Sequence, residues 1–496
     1  MKPQNFLSHL IYLFLFVLPL QTIYFLREPF VGGVKWEYGV IGIYAIDLLL
    51  LVCVVWFLTE AFFFKKYQIP NTKYQISDLI LLVFLFWAGV SIFWASDQML
   101  APYFFMKLLL ASGLFFVVRL IEIDMKKVVF VLLVAGVLQS GIGVAQFLYQ
   151  YSPASSILGV SAHEAFQAGS SVLKIDSGRF LRAYGTFPHP NILGGFLGVI
   201  LVLCISYYVF CIKEKKSNKL QVTSYKKNEI PPLEDSVGMT IEGLMLTGGS
   251  IIILLGLLLT FSRTAWLGAL LGLVAIGFSA FKQKDYWIRR RFLKICLALG
   301  MASIVFGSIL HDQIFPRFDT KAIEREGSVS ERIVSLQDAW TLINNHPIVG
   351  VGAGNFTAAI IEKGEMGIMG ERGEMGSRPV WNIQPAHNVF ILILSELGIV
   401  GLVLVVLFLV SLFKSVIPAY EPGSRKAIQE SWIPGQARDD NLTDSFFKKE
   451  NAPMLIGALL TLIPSLFLDH WLWSSHFGLL FLFLLLSLAS RKSLTE

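Results

Sequence analysis

The stretch RAYGTFPHPNILGGFLGVILVLCISYYVFCI, residues 182–212, decides the fold class of this chain. It begins with a polar segment and continues as an apolar run that contains no charged residue after Arg182. A helix needs about 20 mostly apolar residues to cross a bilayer, and this run has that length. Pro190 fits the first turn of such a helix, because its missing N–H would have no partner there. The stretch therefore predicts a membrane-spanning helix.

Apolar runs of this kind recur along the chain. Of the 496 residues, 55% are hydrophobic and 15% are charged, and the mean hydropathy is +0.64. This composition is typical of membrane proteins with several spans and rare in soluble domains. The first run is too long for a signal peptide and lacks a small-residue cleavage pattern, so we interpret it as a span. We predict an all-α polytopic membrane protein with about twelve transmembrane helices. They lie at about 6–26, 38–64, 77–94, 99–118, 128–150, 192–212, 243–261, 264–281, 292–310, 388–413, 453–469 and 472–490.

Lysine and arginine are concentrated in alternate loops, which predicts the orientation in the membrane. Twelve spans place both termini on one side, and the loops on that side carry most of the basic residues, as cytoplasmic loops do. Clusters at 65–73, 119–127, 213–227, 282–291 and 414–449 follow this pattern. We therefore expect cytoplasmic termini and two long outer loops, at about 151–191 and 311–387. The basic loops also favour contact with anionic lipids.

The chain divides into three predicted regions. Residues 1–310 contain the first nine spans, 311–387 form the long outer loop, and 388–496 contain the last three spans. Residues 364–378 have low complexity, which predicts a mobile insertion. The polar segment 421–450 predicts a disordered cytoplasmic linker.

The long outer loop contains a predicted amphipathic helix. Ser328-Val-Ser-Glu331 has the pattern of a capping box at a helix start. Apolar residues then follow at helical spacing, and the pattern ends near Asn345-His346-Pro347. Such a helix can lie on the outer membrane surface or cap the helix bundle. The apolar positions are Ile333, Leu336, Trp340 and Ile343.

Two arginines at predicted outer helix ends are candidate anion-binding residues. Arg263 lies between two spans with almost no loop, where an unpaired charge costs a few kcal/mol. It also opens a helix whose free N–H groups favour anions, although an interfacial anchor is the alternative. Arg182 precedes the sixth span, and Arg179 is a weaker competitor for its role. His189 is either a site residue or only a residue at the helix start.

His387 and Asn388 stand where the tenth predicted span begins. Histidine has the pKa range needed to accept a proton from a sugar hydroxyl, whereas a helix cap or interfacial residue is the structural alternative. Glu396 lies deeper in the same span. An intramembrane carboxylate is a functional candidate, unless it pairs internally.

The remaining charged candidates carry weaker signals. Asp47 and Lys107 lie at similar depths in two spans, which predicts a structural ion pair. Surface positions in solvent are the preferred interpretation for the outer-loop residues Arg332, His346, Arg317 and His163, and for Asp469-His470. Arg332 and His346 are nevertheless kept as secondary candidates for the site.

Four motifs of the chain resemble the O-antigen ligase and O-antigen polymerase superfamily of bacterial envelope glycosyltransferases. The resemblance extends over most of the chain, with its core at about 180–410, and the motifs do not separate the members of the superfamily. The motifs are Arg182…Gly185-Thr-Phe-Pro-His-Pro-Asn191, Ser262-Arg263-Thr-Ala-Trp266, Asn345-His-Pro-Ile-Val-Gly-Val-Gly-Ala-Gly-Asn-Phe356 and Ala386-His-Asn-Val-Phe…Glu396-Leu-Gly-Ile-Val-Gly401.

The resemblance implies a GT-C-like helical fold in the bacterial cytoplasmic membrane and a glycan donor linked to undecaprenyl diphosphate. It implies transfer at the outer face without a metal or another cofactor, and scarce carboxylates near the motifs are compatible with this expectation. By motif, Arg182 and Arg263 would bind the diphosphate and His387 would be the catalytic base. The insertion at 364–378 departs from a compact family member just before His387.

Several functions are open at this point. A lipid A core as acceptor would make the protein a lipopolysaccharide ligase, a second glycan would make it a polymerase, and a protein hydroxyl would make it an oligosaccharyltransferase. A flippase for lipid-linked sugars is the alternative from another class, but it predicts a central charged cavity and repeat symmetry. A structural membrane subunit is the third reading. Other polysaccharide-assembly proteins are possible partners, and nothing suggests nucleic acid.

Overall fold

The structure is a computed structural model that describes residues 6–63, 76–167, 169–175, 178–212, 240–283, 285–318, 328–363, 380–416 and 452–491. The predicted insertion at 364–378 and the predicted linker at 421–450 lie outside these residues. Within them the protein is mostly helical, as predicted.

Nine helices in the described part of the chain are long and apolar enough to cross a membrane. They are α2 (Ala45–Phe62), α3 (Ile76–Val90, continued by a 3-10 turn to Trp94), α4 (Leu100–Leu120), α5 (Met125–Tyr149), α6 (Pro190–Phe210), α7 (Ile241–Leu259), α8 (Arg263–Lys282), α9 (Tyr286–Ile309) and α13 (Val389–Val416). Three shorter apolar helices occupy the first and the last two predicted spans. They are α1 (Phe6–Val17), α14 (Ala452–Leu468) and α16 (His476–Ala489). The prediction of a polytopic membrane protein is confirmed, whereas the total of twelve spans stays a prediction.

Further helices and strands connect these spans. The helices are α11 (Ser328–Asn345), with 18 residues, and three short ones: α10 (His311–Ile314), α12 (Phe356–Glu362) and α15 (Trp471–Ser474). Eight short strands form four antiparallel pairs, which the all-α prediction did not include: β1 (Ile23–Arg27) with β4 (Ile41–Tyr44), β2 (Phe30–Val31) with β3 (Val34–Lys35), β5 (Tyr151–Ser152) with β6 (His163–Glu164), and β7 (Val172–Ile175) with β8 (Gly178–Leu181). These pairs satisfy backbone groups in the loops between helices.

Helix α6 lies at the centre of the bundle and packs against α5, α7 and α8. All but one of its residues are buried. Close packing depends on small residues, as it does between membrane helices in general. A Cβ on Gly194 would come within 2.8 Å of the Ala265 Cβ, and one on Gly195 within 2.4 Å of the Trp471 ring. The first turn of α6 is therefore held firmly against the start of α8 and against α15.

Helix α13 is broken at Gly398, where φ is 66° and ψ is −172°. The loop that follows α11 packs into this break, because a Cβ on Gly398 would lie 2.0 Å from the Ile348 carbonyl oxygen. Glu396 accepts hydrogen bonds from the backbone N–H of Gly354 (2.9 Å) and Phe356 (3.4 Å). The Trp473 indole donates a third bond of 2.8 Å. The buried Glu396 carboxylate thus joins the loop, α13 and α15.

The predicted ion pair between Asp47 and Lys107 is not the contact that forms. Asp47 lies 2.9 Å from Nε2 of His476, whose ring stacks on Tyr44 at a centroid distance of 4.2 Å. The Lys107 ammonium lies over the Tyr103 ring, 4.1 Å from its centroid. The carboxylate thus finds a histidine at the start of α16, and the lysine is accommodated by aromatic faces.

Candidate active site at one end of the helix bundle

The turn between α7 and α8 is the first element of the candidate site. Phe261 has a φ of 48°, which is uncommon for a bulky residue and shapes this tight turn. Two buried arginines donate to its carbonyl groups: Arg182 Nε to Thr260 O at 2.7 Å, and Arg317 Nη2 to Phe261 O at 2.9 Å. Arg263 follows the turn and donates to the Arg317 carbonyl at 3.4 Å. Three arginines therefore meet at one turn.

The segment that carries Arg182 is held by buried glutamines of α5. Gln146 accepts from the Gly185 N–H and donates to the Gly185 carbonyl, both at 2.8 Å. Gln139 accepts from the Thr186 N–H at 2.9 Å. Gly185 has a φ of 60°, and a Cβ there would lie 2.5 Å from the Gln139 side-chain oxygen. These contacts fix the backbone beside Arg182.

The Arg182 guanidinium is fixed in turn by side chains. Nη1 donates to Ser171 Oγ at 2.8 Å, and Nη2 donates to Asn191 Oδ1 at 2.9 Å. Together with the bond to Thr260, these contacts set the plane of the guanidinium. The Arg263 side chain is only half-buried. The site therefore combines one immobilised cation with a more accessible one.

A hydrogen-bonded path leads from Arg182 to Asp469. Asn191, at the start of α6, donates from Nδ2 to Asp469 Oδ2 at 2.8 Å. The backbone N–H of His470 donates to Asp469 Oδ1 at 2.8 Å. Asp469 is 4% exposed, so its predicted position in solvent was wrong. The residue follows an apolar run, and its pairing with Asn191, 278 positions earlier, was not visible in the sequence.

Histidines surround this carboxylate. The rings of His387 and His470 meet edge to face with centroids 4.9 Å apart, and Tyr38 packs on His470 at 5.9 Å. His189 accepts from the Asn191 N–H through Nδ1 at 3.1 Å. The structure thus brings His387, His189, Asp469 and Arg182 into one connected cluster, with His470 between His387 and Asp469.

The surroundings keep the histidines of this cluster neutral. Burial, followed by the neighbouring His470, lowers the pKa of His387 to about 3. Partial desolvation within the cluster and the Arg182 charge lower the pKa of His189, although the residue keeps an exposed face at the start of α6. Burial alone would raise the pKa of Asp469, but His470, His387 and His189 outweigh it and hold that pKa below its ordinary value. At neutral pH, the arrangement is an ionised carboxylate among neutral imidazoles.

The predicted amphipathic helix is α11, which extends over Ser328–Asn345. Its predicted apolar residues Ile333, Leu336 and Trp340 are exposed. The opposite face is buried and contains Ser335, whose Oγ lies 3.3 Å from His387 Nδ1. The helix therefore packs the face that contains Ser335 against the site, and its apolar residues stay exposed.

The other predicted candidates lie at or outside the edge of this cluster. Arg332, one turn before Ser335, is close enough to lower the pKa of His387 and His470. Asn388 caps α13 by accepting from the Ile391 N–H at 3.0 Å, and it donates to the Phe467 carbonyl at 3.2 Å. This arrangement is that of a structural cap.

Three further candidates lie outside the cluster. His346 is exposed just after α11. Arg179 lies on β8 and donates to the Ala165 carbonyl at 2.8 Å. Glu396 is occupied by the donors described above. Among the residues assigned to solvent, Arg317 is instead buried at the arginine turn, and His163 stacks on Tyr184 at a centroid distance of 4.2 Å.

This arrangement suits an anionic substrate and a proton transfer. Arginines bind phosphate oxygens with paired, charge-assisted hydrogen bonds. A neutral histidine with an accessible ring nitrogen can accept a proton. Among the described residues, no group of three or more His, Cys, Asp or Glu side chains has the geometry to hold a metal ion.

Comparison with known proteins agrees with the motifs. A family model described as O-antigen ligase matches residues 248–406, and no curated protein matches the chain. The match confirms the resemblance to the O-antigen ligase and polymerase superfamily, and it supports an enzyme of the glycosyltransferase or ligase type in the membrane. Arg263, α11 and His387 lie within the matched residues, whereas Arg182 and Asp469 lie outside them.

Proposed function

We propose that this protein is a glycosyltransferase that moves a glycan from an undecaprenyl-diphosphate-linked donor to an acceptor hydroxyl. The observation that carries this proposal is the connection of the arginine turn to His387. Arg182 bonds Asn191, Asn191 bonds Asp469, and the following residue, His470, contacts the His387 ring. Anion-binding groups and a proton acceptor therefore belong to one site.

The arginines bind the diphosphate of the donor in this mechanism. Arg263 provides the more accessible guanidinium, and Arg182 provides a charge whose position is set in advance. The N-terminus of α8 adds backbone N–H groups that favour anions. Cations held in place stabilise the charge that develops on the departing phosphate, and this is usually the largest catalytic term in such sites.

His387 removes the proton from the acceptor hydroxyl. The hydroxyl oxygen then forms a bond to the anomeric carbon, and the bond from that carbon to the phosphate oxygen breaks. The electron pair leaves with the diphosphate, and the configuration at carbon is inverted by this direct displacement. Diphosphate is a good leaving group, so the arginines supply the charge stabilisation and no metal is required in the proposal.

The site lies at the membrane face that the basic loops predict to be the outer one. We propose that the protein lies in the bacterial cytoplasmic membrane with both termini in the cytoplasm. The donor would then enter from the outer leaflet. The acceptor is a glycolipid such as a lipid A core, a second glycan chain or a protein hydroxyl.

Reconstitution in liposomes tests the proposal. The purified protein is incubated with a defined undecaprenyl-diphosphate glycan and with each class of acceptor, with and without EDTA. The proposal predicts release of undecaprenyl diphosphate and a larger glycoconjugate, both unaffected by EDTA. Movement of the donor between leaflets without any product would contradict it and favour a flippase.

A further inference from the structure

Ser335 is a buried polar residue that the proposed mechanism does not yet use. It is 0% exposed and lies on the face of α11 that packs against the site. A hydroxyl at such a position is buried only where it finds hydrogen-bond partners. Its Oγ has two: the Arg332 carbonyl at 3.0 Å, and Nδ1 of His387 at 3.3 Å.

The first of these contacts bears on the direction of the second. A serine hydroxyl has one hydrogen, and the Arg332 carbonyl one turn earlier, which can only accept, lies 3.0 Å from Oγ. When the hydroxyl hydrogen points to this carbonyl, the oxygen has only lone pairs to offer His387. The bond is formed if Nδ1 carries the imidazole hydrogen and donates it to Ser335. In a neutral imidazole the other nitrogen, Nε2, is then without a hydrogen.

We propose that Ser335 is a positioning residue that holds His387 in the tautomer with the hydrogen on Nδ1 and the lone pair on Nε2. This inference rests on the proposed function, because it concerns the base of that reaction. The acceptor hydroxyl gives its proton to Nε2 as its oxygen bonds the anomeric carbon. The resulting imidazolium keeps the Nδ1–H bond to Ser335 throughout.

A neutral partner suits this site better than a carboxylate would. Burial disfavours a charge on His387 most, followed by the His470 ring; Asp469 favours that charge, and the Arg332 side chain disfavours it. A serine oxygen orients the ring without adding a negative charge that would hold the imidazole protonated. Because Ser335 belongs to α11, the outer helix orients the base as well as covering the site.

Three variants in the reconstituted full-length protein test the inference. Ser335→Ala removes the acceptor, Ser335→Thr keeps it, and Thr341→Ala is the matched control. Thr341 lies on the same helix, and its hydroxyl makes a similar bond, to the exposed Gln337 carbonyl at 3.0 Å. Thermal unfolding shows whether each variant is folded.

Ser335→Ala should lower kcat about 10-fold to 100-fold and leave the donor KM unchanged. This loss is part of the roughly 10²-fold to 10⁴-fold rate enhancement that a general base contributes. Ser335→Thr should recover most of the rate, and Thr341→Ala should match the wild type. Ring-nitrogen NMR of isotope-labelled histidine should show the hydrogen of His387 on Nδ1 in the wild type and on both nitrogens in Ser335→Ala.

The results separate this inference from the function on which it rests. If Ser335→Ala has the kcat of Thr341→Ala, or if Nε2 carries the hydrogen in the wild type, the role of Ser335 is overturned. Even then, the proposed function stands as long as His387→Ala is inactive in the same assay. Full transfer by His387→Ala would instead show that His387 is not the catalytic base, and the proposed mechanism would be wrong.

Discussion

Two buried carboxylates, Glu396 and Asp469, lie near the short helix α15 and have different partners: Asp469 precedes the helix in the chain, and Glu396 accepts from its Trp473. Glu396 is bonded by two backbone N–H groups and by the Trp473 indole. Asp469 is bonded by the Asn191 side chain and one backbone N–H. Three histidines surround it, and Arg182 connects to it through Asn191. The first carboxylate holds a loop onto a broken helix, whereas the second connects the groups that we assign to catalysis.

The difference shows that the partners of a buried carboxylate indicate whether its role is structural or catalytic. A carboxylate saturated by backbone donors stabilises the local fold, and its loss leaves those donors without partners. A carboxylate among titratable side chains sets their protonation and orientation. In the sequence, depth favoured Glu396 as the functional candidate and placed Asp469 in solvent, because depth gives no information about partners.

The largest effect is expected at Arg182, which is connected to Asp469 through Asn191. Arg182→Ala should lower the transfer rate about 10²-fold to 10³-fold, as the loss of one preorganised donor does in other enzymes. Lysine should not restore the rate, because it lacks the planar guanidinium that bonds Thr260, Ser171 and Asn191 at once. Steady-state transfer in liposomes measures the change.

Arg179→Ala is the control for this variant. Arg179 lies three residues earlier, and within the described part of the chain its side chain bonds the Ala165 carbonyl. Its removal should leave the rate close to wild type. Equal losses in Arg179→Ala and Arg182→Ala would show that the loop, rather than the arginine turn, controls activity.

Exchanging each carboxylate for its amide sharpens the comparison. Asp469→Asn should reduce transfer per folded molecule about 10-fold to 100-fold, because the carboxylate charge that faces the histidines is lost. Glu396→Gln should lower the free energy of unfolding by about 1–3 kcal/mol, since one buried N–H loses its acceptor. Activity per folded molecule should survive in Glu396→Gln. The reverse pattern would exchange the roles that we assign.

The Glu396 junction should also be sensitive to a single methyl group. Gly398→Ala places a Cβ 2.0 Å from the Ile348 carbonyl oxygen at a positive φ, so the loop must move. We expect a lower unfolding temperature and less protein in the membrane. Gly300→Ala in α9 is the control, because a Cβ there meets nothing within 4 Å. A Gly398→Ala variant as stable as Gly300→Ala would contradict the close approach.

The smallest effect concerns pH. Burial lowers the pKa of His387 to about 3, so the base stays neutral when the pH falls through the ordinary histidine value of about 6.5. Transfer per folded molecule should vary less than about twofold between about pH 7.5 and 5.5. Stability should decrease over the same range, because the unfolded chain binds protons that the folded chain does not. An activity limb centred near pH 6.5 would contradict a neutral, buried base.

The sequence predicted the helices and the positions of the arginines well, for physical reasons. A long apolar run in a bilayer forms a helix, because its backbone groups must bond within the segment. Most spans, the start of α6 at Pro190 and the helix from Ser328 to Asn345 could therefore be predicted from local sequence patterns. Arg182, Arg263 and His387 stood out because charged or titratable groups at the outer ends of such runs are uncommon, and their roles at the site stay a prediction.

Long-range partners could not be predicted in the same way. The buried positions of Asp469 and Arg317 depend on contacts with Asn191 and Phe261, which are distant in the chain. Asp47 was paired with Lys107 on depth alone, whereas in the structure it lies 2.9 Å from His476 Nε2. The apolar stripe of α11 predicted the helix correctly, although the face that packs on the site is the opposite one.

The central claim is that the arginine turn and His387 form one active site, and His387→Ala tests it most directly. Donor binding and single-turnover transfer are measured on the same reconstituted variant. We predict unchanged donor affinity and a transfer rate reduced at least about 10²-fold, because the arginines still bind the diphosphate and only the proton acceptor is lost. Transfer at a rate near wild type would contradict the account.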